Sequence, residues 1–350
     1  MTKKRQVRGL KSFLSNDEVF RIRDKGELRS LTLELTKKCN YGCIYCYARE
    51  KYSSNEDKLQ YDDFINIINQ SIELGVELVN LTGGEPLLYE HFYKLVSYIN
   101  SKQLDILIFT NGSLVSVDTC KFLLDNNCSI CIKLDSFENS KYKFLTGHDK
   151  IHDILNIINM LVKSGYNCED NPILEVNSIA TKINLSDILE IWEWCRVRGI
   201  NPTFTRFWPV GEAAKTLDMM PTSSEMKKLY EDVSLIDKKF EKSWEVNFPG
   251  CGGISCRNFY LDCSISCDGY IRPCPCIHIN EHNIKNEQLK DVIHNSELFN
   301  ITRNIEKHIK GYCAICKYNM LCYGCRSIAY GLTSDICASD NLCWHNKHII

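Results

Sequence analysis

No apolar run in this 350-residue chain reaches the length of a membrane span, which takes about 20 apolar residues. The start, Met1-Thr2-Lys3-Lys4-Arg5-Gln6, is basic, but Val-Arg-Gly-Leu-Lys follows where a secretory signal would carry an apolar stretch. Charge of one sign is also missing: 42 Lys and Arg stand against 44 Asp and Glu, a net charge of −2. Such a balance lacks the electrostatic footprint of a general nucleic-acid binder. Short internal repeats and low-complexity tracts are absent too. These absences leave the expectation of a cytoplasmic globular protein, with no membrane and no nucleic-acid partner. Apolar residues make up 44% of the chain, enough for a full core of one large or two moderate domains.

Cysteine, in contrast, is plentiful, at 20 residues. In a chain with no export signal that number points to metal in a reducing cytosol, since disulfides belong to oxidising compartments. Cys39, Cys43 and Cys46 form a C-x3-C-x2-C run, entered from the alternating apolar residues Leu31, Leu33 and Leu35. A 4Fe–4S cube normally takes four thiolates. Three from one tight loop leave one iron open to bind and reduce a small molecule. Two other readings stay open from spacing alone. Structural zinc would want a fourth ligand, usually in paired C-x2-4-C arms. A redox C-x2-C pair would not need the third cysteine.

The run resembles the signature of the radical S-adenosylmethionine (radical SAM) enzymes, C-x3-C-x-aromatic-C on the loop after the first barrel strand, with Tyr45 as the aromatic residue. A second mark is Gly83-Gly84-Glu85-Pro86, after the apolar residues Leu78, Val79 and Leu81. The resemblance implies that this segment binds the amino group of the SAM methionine. Two glycines let the backbone approach a ligand, and a carboxylate matches an ammonium. The 4Fe–4S clusters of such enzymes are usually oxygen-labile, so an anaerobic setting is expected.

Strand-like runs occur at 31–36, 77–82, 105–110, 129–134, 173–180 and 202–207. Helical stretches lie between them. Phe64, Ile65, Ile68 and Ile72 form one apolar stripe, and Ile154, Ile157, Ile158 and Leu161 another. Further helices are predicted at 88–101, 117–126, 185–198 and 223–240. Six strands alternating with helices predict an α/β fold with a parallel sheet. The resemblance implies the same count, a partial (βα)6 radical SAM barrel. The expected division is an N-terminal extension at 1–28, the barrel at 29–240 and a small Cys-rich domain at 241–350.

Active sites of parallel barrels gather at the C-terminal strand ends. Asn111, Asp135 and Ser136 lie there beside Gly83, Gly84, Glu85 and Pro86, and the resemblance implies SAM contacts for all of them. The plainer alternatives are a turn at Asn111-Gly112 and a helix cap at Asp135. Lys133 stands where a serine often precedes Leu-Asp in the family. Arg206, Trp208, Lys133 and His148 are candidates to face substrate, each with an ordinary packing role as the alternative. No catalytic base can be named.

Twelve cysteines fall between residues 251 and 343. Cys313-x2-Cys316-x5-Cys322-x2-Cys325 is followed after 17 residues by Cys343, and Cys256-x12-Gly269-x4-Cys274 lies upstream. This resembles the SPASM extension of radical SAM enzymes, which carries up to two auxiliary 4Fe–4S clusters. The family spacing before the fourth cysteine is x3, so Cys325 arrives one residue early. The resemblance implies an outer cluster on Cys313, Cys316, Cys322 and Cys343. The inner one falls to Cys256, Cys274, Cys325 and either Cys251 or Cys263; the resemblance favours Cys251, whose C-x4-C pair with Cys256 leads into the motif, while Cys263 alternates with Ile265 in a strand-like run that reads as core. Cys267, Cys276 and Cys337 have no assigned role. Cys120, Cys128, Cys131, Cys168 and Cys195 read as core residues. Two zinc knuckles are the alternative for the C-terminal block.

The resemblance implies reductive cleavage of SAM to a 5′-deoxyadenosyl radical that abstracts a substrate hydrogen atom. It also implies an electron donor such as flavodoxin or ferredoxin. The favoured substrate is a peptide or protein, oxidised or cross-linked as by maturases of ribosomal peptides. Two features weigh on this. Only residues 1–28 precede the first strand, short for a leader-recognition domain, and Pro275 stands where sulfatase-type maturases carry an acidic base. The alternative is a dehydrogenase or rearrangement enzyme acting on an amino sugar, cyclitol or nucleoside. A non-catalytic electron carrier is the third reading.

Overall fold

A computed structural model of the protein describes residues 14–49, 58–168, 171–250 and 255–346. In chain order the first part runs α1 (Asn16–Asp24), β1 (Ser30–Glu34), α2 (Tyr61–Glu73), β2 (Leu78–Thr82), α3 (Phe92–Ser101), β3 (Asp105–Thr110), α4 (Val117–Asp125) and β4 (Cys128–Lys133). It continues with α5 (Asn139–Thr146), α6 (Ile151–Lys163), β5 (Leu174–Ile179), α7 (Leu185–Val197), β6 (Asn201–Thr205) and α8 (Ser223–Lys239). The Cys-rich part adds α9 (Asn258–Leu261), β7 (Asp262–Ile265), β8 (Ile271–Arg272), α10 (Leu289–Asn295), α11 (Glu297–Arg303), α12 (Ile305–His308) and α13 (Arg326–Thr333). Among the described residues no helix is long and apolar enough to cross a membrane.

The eight strands among the described residues form one sheet in the order β6-β5-β4-β3-β2-β1-β7-β8. Strands β1 to β6 pair in parallel in sequence order, so each crossover helix returns the chain to the same end of the sheet. The six predicted strands are all present. The seventh and eighth go beyond that expectation: β7 pairs in parallel with β1, Leu31 opposite Cys263, and β8 turns back antiparallel on β7. The Cys-rich part is thus stitched into the barrel sheet next to the first strand. Residues before β1 join it as well, since Arg23 of α1 pairs with Glu306 of α12 at 2.8 Å.

Alternation along β1 sorts its two faces. Leu31, Leu33 and Leu35 are fully buried among the helices, and burying each such side chain stabilises the fold by about 1.5–3 kcal/mol. The opposite face carries Ser30, Thr32 and Glu34. Thr32 Oγ1 accepts from Asn80 Nδ2 at 3.2 Å and donates to Asp262 at 3.2 Å, linking β2, β1 and β7 across the barrel interior. The interior is therefore polar beside β1.

Helix α2 buries Phe64, Ile67, Ile68 and Ser71. The sequence stripe differs: Ile65 is half-buried and Ile72 exposed. The buried set keeps the i, i+3, i+4, i+7 spacing of one face, whereas Ile65 and Ile72 lie at its flank. In α6 the buried set is Ile151, Ile154, Ile158 and Leu161, with Ile157 at the edge. The predicted helix at 88–101 starts later, at Phe92, because Pro86–Leu88 forms its own 3-10 turn after Glu85.

Candidate metal and cofactor centre

Strand β1 delivers the chain into the loop that carries Cys39, Cys43 and Cys46. Two backbone bonds pin that loop to the end of α5: Gly42 N–H to Thr146 O at 2.9 Å and Ile44 N–H to Leu145 O at 3.0 Å. Within it, Cys46 N–H reaches Cys43 O at 3.3 Å and Tyr41 N–H reaches Cys39 Sγ at 3.4 Å. Tyr45 is buried and donates its hydroxyl to the Asp135 carboxylate. Burial pushes the Cys43 thiol up to about 12, helped by the nearby Cys46 and Asp135, and raises Cys39 and Cys46 for the same first reason. Such thiols stay protonated until a cation replaces their protons, as metal binding does.

Gly83 and Gly84 press against the chain entering this loop. Gly83 has φ +137°, and a Cβ there would stand 2.6 Å from Thr36 O; at Gly84 it would stand 2.2 Å from Lys38 O. Both positions need glycine. The backbone bonds Gly84 N–H to Thr36 O at 2.6 Å and Glu85 N–H to Lys38 O at 2.8 Å lock the two segments together. The Glu85 side chain is fully buried. Its Oε1 accepts Thr110 Oγ1 at 2.7 Å and Leu87 N–H at 3.2 Å, and its Oε2 accepts Asn111 N–H at 2.8 Å. Burial outweighs these bonds and lifts its carboxyl to about 7. Asn111 also donates through Nδ2 to Asn40 at 2.8 Å, next to Cys39.

The structure thus brings Cys39, Cys43, Cys46, Gly83, Gly84, Glu85 and Asn111 to one end of the sheet. Pro86 opens the turn beyond Glu85. Asp135 is close as well, but it does not cap α5, whose N-cap is Glu138. Its Oδ1 accepts Ile179 N–H at 2.7 Å while its other oxygen holds Tyr45. Ser136 Oγ accepts Glu138 N–H at 2.9 Å, a local turn contact.

Below this end, Lys133 Nζ donates to Asn177 Oδ1 at 3.1 Å and lies 3.8 Å from Asp135. Asn177 Nδ2 donates onward to Thr203 and Thr205 at 2.9 and 3.1 Å. This polar ladder runs across β4, β5 and β6 inside the barrel. Tyr47 was not among the sequence candidates. Its hydroxyl bonds Thr82, in reach of Glu34, Cys46 and Cys276, and its ring meets Trp208 at 5.6 Å. Strand alternation at Glu34 and Thr82 was the available signal for that cluster. His148 stacks on Tyr41 at 4.4 Å.

In the Cys-rich part, Cys313, Cys316, Cys322 and Cys343 line one small cavity with Tyr318 and His345. Burial raises the Cys322 thiol to about 12 and the Cys343 thiol to about 11. A second group forms around Cys325, with Cys256 and Cys276 in its electrostatic reach. Cys274 and Cys276 hydrogen-bond each other, and Cys274 lies 3.5 Å from Ser327 Oγ. Cys276 carried no assignment from sequence. Cys263 sits on β7 in the apolar core opposite Leu31. Cys251 lies outside the described residues. Cys120, Cys128, Cys131 and Cys195 are buried as expected, but Cys168 is exposed, because it falls in the turn after α6 instead of on an element. Among the described residues no three His, Cys, Asp or Glu side chains converge closely enough to share a single ion. Thiolates at the corners of an iron–sulfur cube stand farther apart than those around one zinc. The cysteines at these three places supply thiol donors of the kind that iron–sulfur clusters take.

The family description "Radical SAM superfamily" matches residues 33–175. A "Probable GTP 3',8-cyclase" of Methanocaldococcus jannaschii is 30% identical over 272 residues, covering 71% of this chain and 85% of the relative. An "AdoMet-dependent heme synthase" of Nitratidesulfovibrio vulgaris is 23% identical over 342 residues, covering 89% and 90%. Among solved structures, Streptococcus suis SuiB bound to precursor peptide SuiA superposes with a TM-score of 0.70 at 18% identity, over 90% of this chain and 75% of that one. The chain belongs to the radical SAM superfamily and carries a Cys-rich C-terminal part of the SPASM type.

Proposed function

We propose that this enzyme uses SAM to start a hydrogen abstraction on a peptide or protein substrate, with oxidation or cross-linking as the outcome. The observation that carries this reading is the double cysteine arrangement behind the barrel: four cysteines around one cavity and a second group around Cys325. Two auxiliary clusters suit a reaction in which the substrate loses an electron. The likeness to SuiB, which was solved with a precursor peptide, spans the Cys-rich part as well as the barrel.

Cys39, Cys43 and Cys46 would hold the first cluster, and Glu85 with Gly83 and Gly84 would receive the amino group of SAM. Bound there, the cluster supplies the one electron that cleaves SAM. The protein's own tasks are positional. Tyr45 anchored on Asp135 fixes the cysteine loop, and the two glycines set the SAM segment against it. Glu85 holds a carboxylate where an ammonium makes its ionised form favourable. Tyr47, next to Cys46, meets Trp208 edge to face and buttresses the end of the cysteine loop.

A second reading rests on the Lys133–Asn177–Thr203–Thr205 ladder. A cation flanked by an amide and two hydroxyls suits a small polar substrate with an anionic or carbonyl group, and the GTP cyclase and heme synthase relatives act on small molecules by name. Anaerobic assay of the reconstituted protein with SAM and a reductant decides between them. Turnover to 5′-deoxyadenosine stimulated by short Cys- or Gly-rich peptides supports the first reading. Stimulation by nucleosides, amino sugars or cyclitols alone supports the second.

A further inference from the structure

One residue touches both groups of cysteines. Asp340 donates its backbone N–H to Cys313 Sγ at 3.4 Å. Its carbonyl accepts Cys343 N–H at 3.1 Å. Its carboxylate accepts Cys325 N–H at 2.8 Å and Leu342 N–H at 3.0 Å. Cys313 and Cys343 belong to the outer set, Cys325 to the inner one. Gly324, with φ +65°, makes room for this: a Cβ there would lie 2.6 Å from Asp340 Cβ.

Asp340 is in turn clamped from the barrel. Arg206, just after β6, donates Nη1 to Oδ2 at 2.6 Å and Nη2 to Oδ1 at 3.1 Å, and both side chains are buried. A forked guanidinium–carboxylate pair of this kind fixes orientation as well as distance. Two of the three guanidinium nitrogens are used. The third, Nε, is buried with no hydrogen-bond partner among the described residues. A buried unpaired donor on a cation is costly, and Arg206 lies in electrostatic reach of both Cys325 and Cys343. A bound cluster would bring anionic sulfur acceptors into that reach.

We propose that Arg206 and Asp340 are positioning residues that hold the inner and outer cluster sites in fixed relation and set the reduction potential of the inner cluster. Arg206 raises that potential, because its positive charge and free Nε–H favour the more negative reduced cluster. Asp340 lowers it, because its carboxylate sits on the Cys325 amide. This rests on the reading that the Cys-rich part holds clusters.

The test is an EPR-monitored redox titration of reconstituted wild type, Arg206→Gln, Arg206→Lys and Asp340→Asn, each with iron counted first. The expected result is opposite shifts: Arg206→Gln lowers the inner-cluster midpoint and Asp340→Asn raises it. A tenfold change in the ratio of reduced to oxidised cluster at fixed potential is about 59 mV for one electron. Arg206→Lys keeps the charge and falls between wild type and Arg206→Gln; it also decides the matter if Arg206→Gln fails to load iron. Full iron with unchanged midpoints, or shifts of the same sign in Arg206→Gln and Asp340→Asn, overturns the proposal while leaving the clusters standing. Wild type with no iron beyond the first cluster overturns the cluster reading itself.

Discussion

The carboxylate of Glu85 accepts the backbone N–H of Asn111 at 2.8 Å, tying the Gly-Gly-Glu-Pro segment after β2 to the end of β3. Burial nevertheless lifts the Glu85 carboxyl from an ordinary 4.5 to about 7. In the free protein this group contributes stability that is fully present below pH 4.5 and is lost as pH rises through about 7. That interval corresponds to about 3 kcal/mol. Thermal unfolding of wild type and Glu85→Gln should therefore show wild type losing stability relative to the variant between pH 5 and pH 8. Equal pH profiles would refute it. An incoming ammonium reverses the preference, so SAM should bind more tightly as pH rises through about 7, with proton release on binding below that pH. Calorimetry in buffers of different ionisation enthalpy reads the proton directly.

Gly84→Ala puts a methyl group 2.2 Å from Lys38 O, so backbone must move. SAM binding by this variant should fall at least tenfold, about 1.4 kcal/mol. Gly42→Ala, in the cysteine loop itself, meets nothing nearer than the flexible Arg49 side chain at 3.8 Å and should bind SAM normally. Equilibrium dialysis on both variants checks the pair; equal affinities would remove the close-approach argument.

Tyr45→Phe deletes the hydroxyl that the buried Asp135 carboxylate accepts. An acceptor left unsatisfied in the interior costs about 1–3 kcal/mol. The variant should unfold at lower urea and lose first-cluster iron faster under chelator, with the auxiliary iron unaffected. An unchanged urea midpoint would show that water replaces the hydroxyl at no cost.

Lys133→Gln removes the one cation of the interior ladder while Asn177 can still be bonded. Cleavage of SAM without substrate should persist within about threefold, a difference of under 1 kcal/mol. Substrate-dependent turnover should drop through KM. A loss of the substrate-free reaction instead would place Lys133 on SAM.

Much of this was legible because it is local. The thiol loop, the Gly-Gly-Glu-Pro segment and the strands are short stretches whose spacing and alternation carry their own meaning. Strand β7 was half visible, in the alternation of Cys263 and Ile265, but its place beside β1 depends on a pairing 232 residues apart between Ser30 and Asp262. Arg206 reads from sequence as a candidate to face substrate, with a packing role as the alternative; the structure turns it onto Asp340, 134 residues away. No period or motif marks such a pair, because a buried ion pair is defined only once two distant segments meet. Tyr47 stays unnamed and Cys276 unassigned for the same reason: they lie on different parts of the chain and come into electrostatic reach of each other only in the interior.

On the reading proposed above, the Cys39, Cys43 and Cys46 loop holds the cluster that cleaves SAM. The most direct measurement is 5′-deoxyadenosine formed from SAM by anaerobically reconstituted, reduced protein, comparing wild type with the Cys39→Ala/Cys43→Ala/Cys46→Ala triple variant. Nucleoside from wild type and none from the variant, with iron falling from about twelve to about eight per chain, is the predicted result. Nucleoside formation by the triple variant, or none by an iron-loaded wild type, would contradict it.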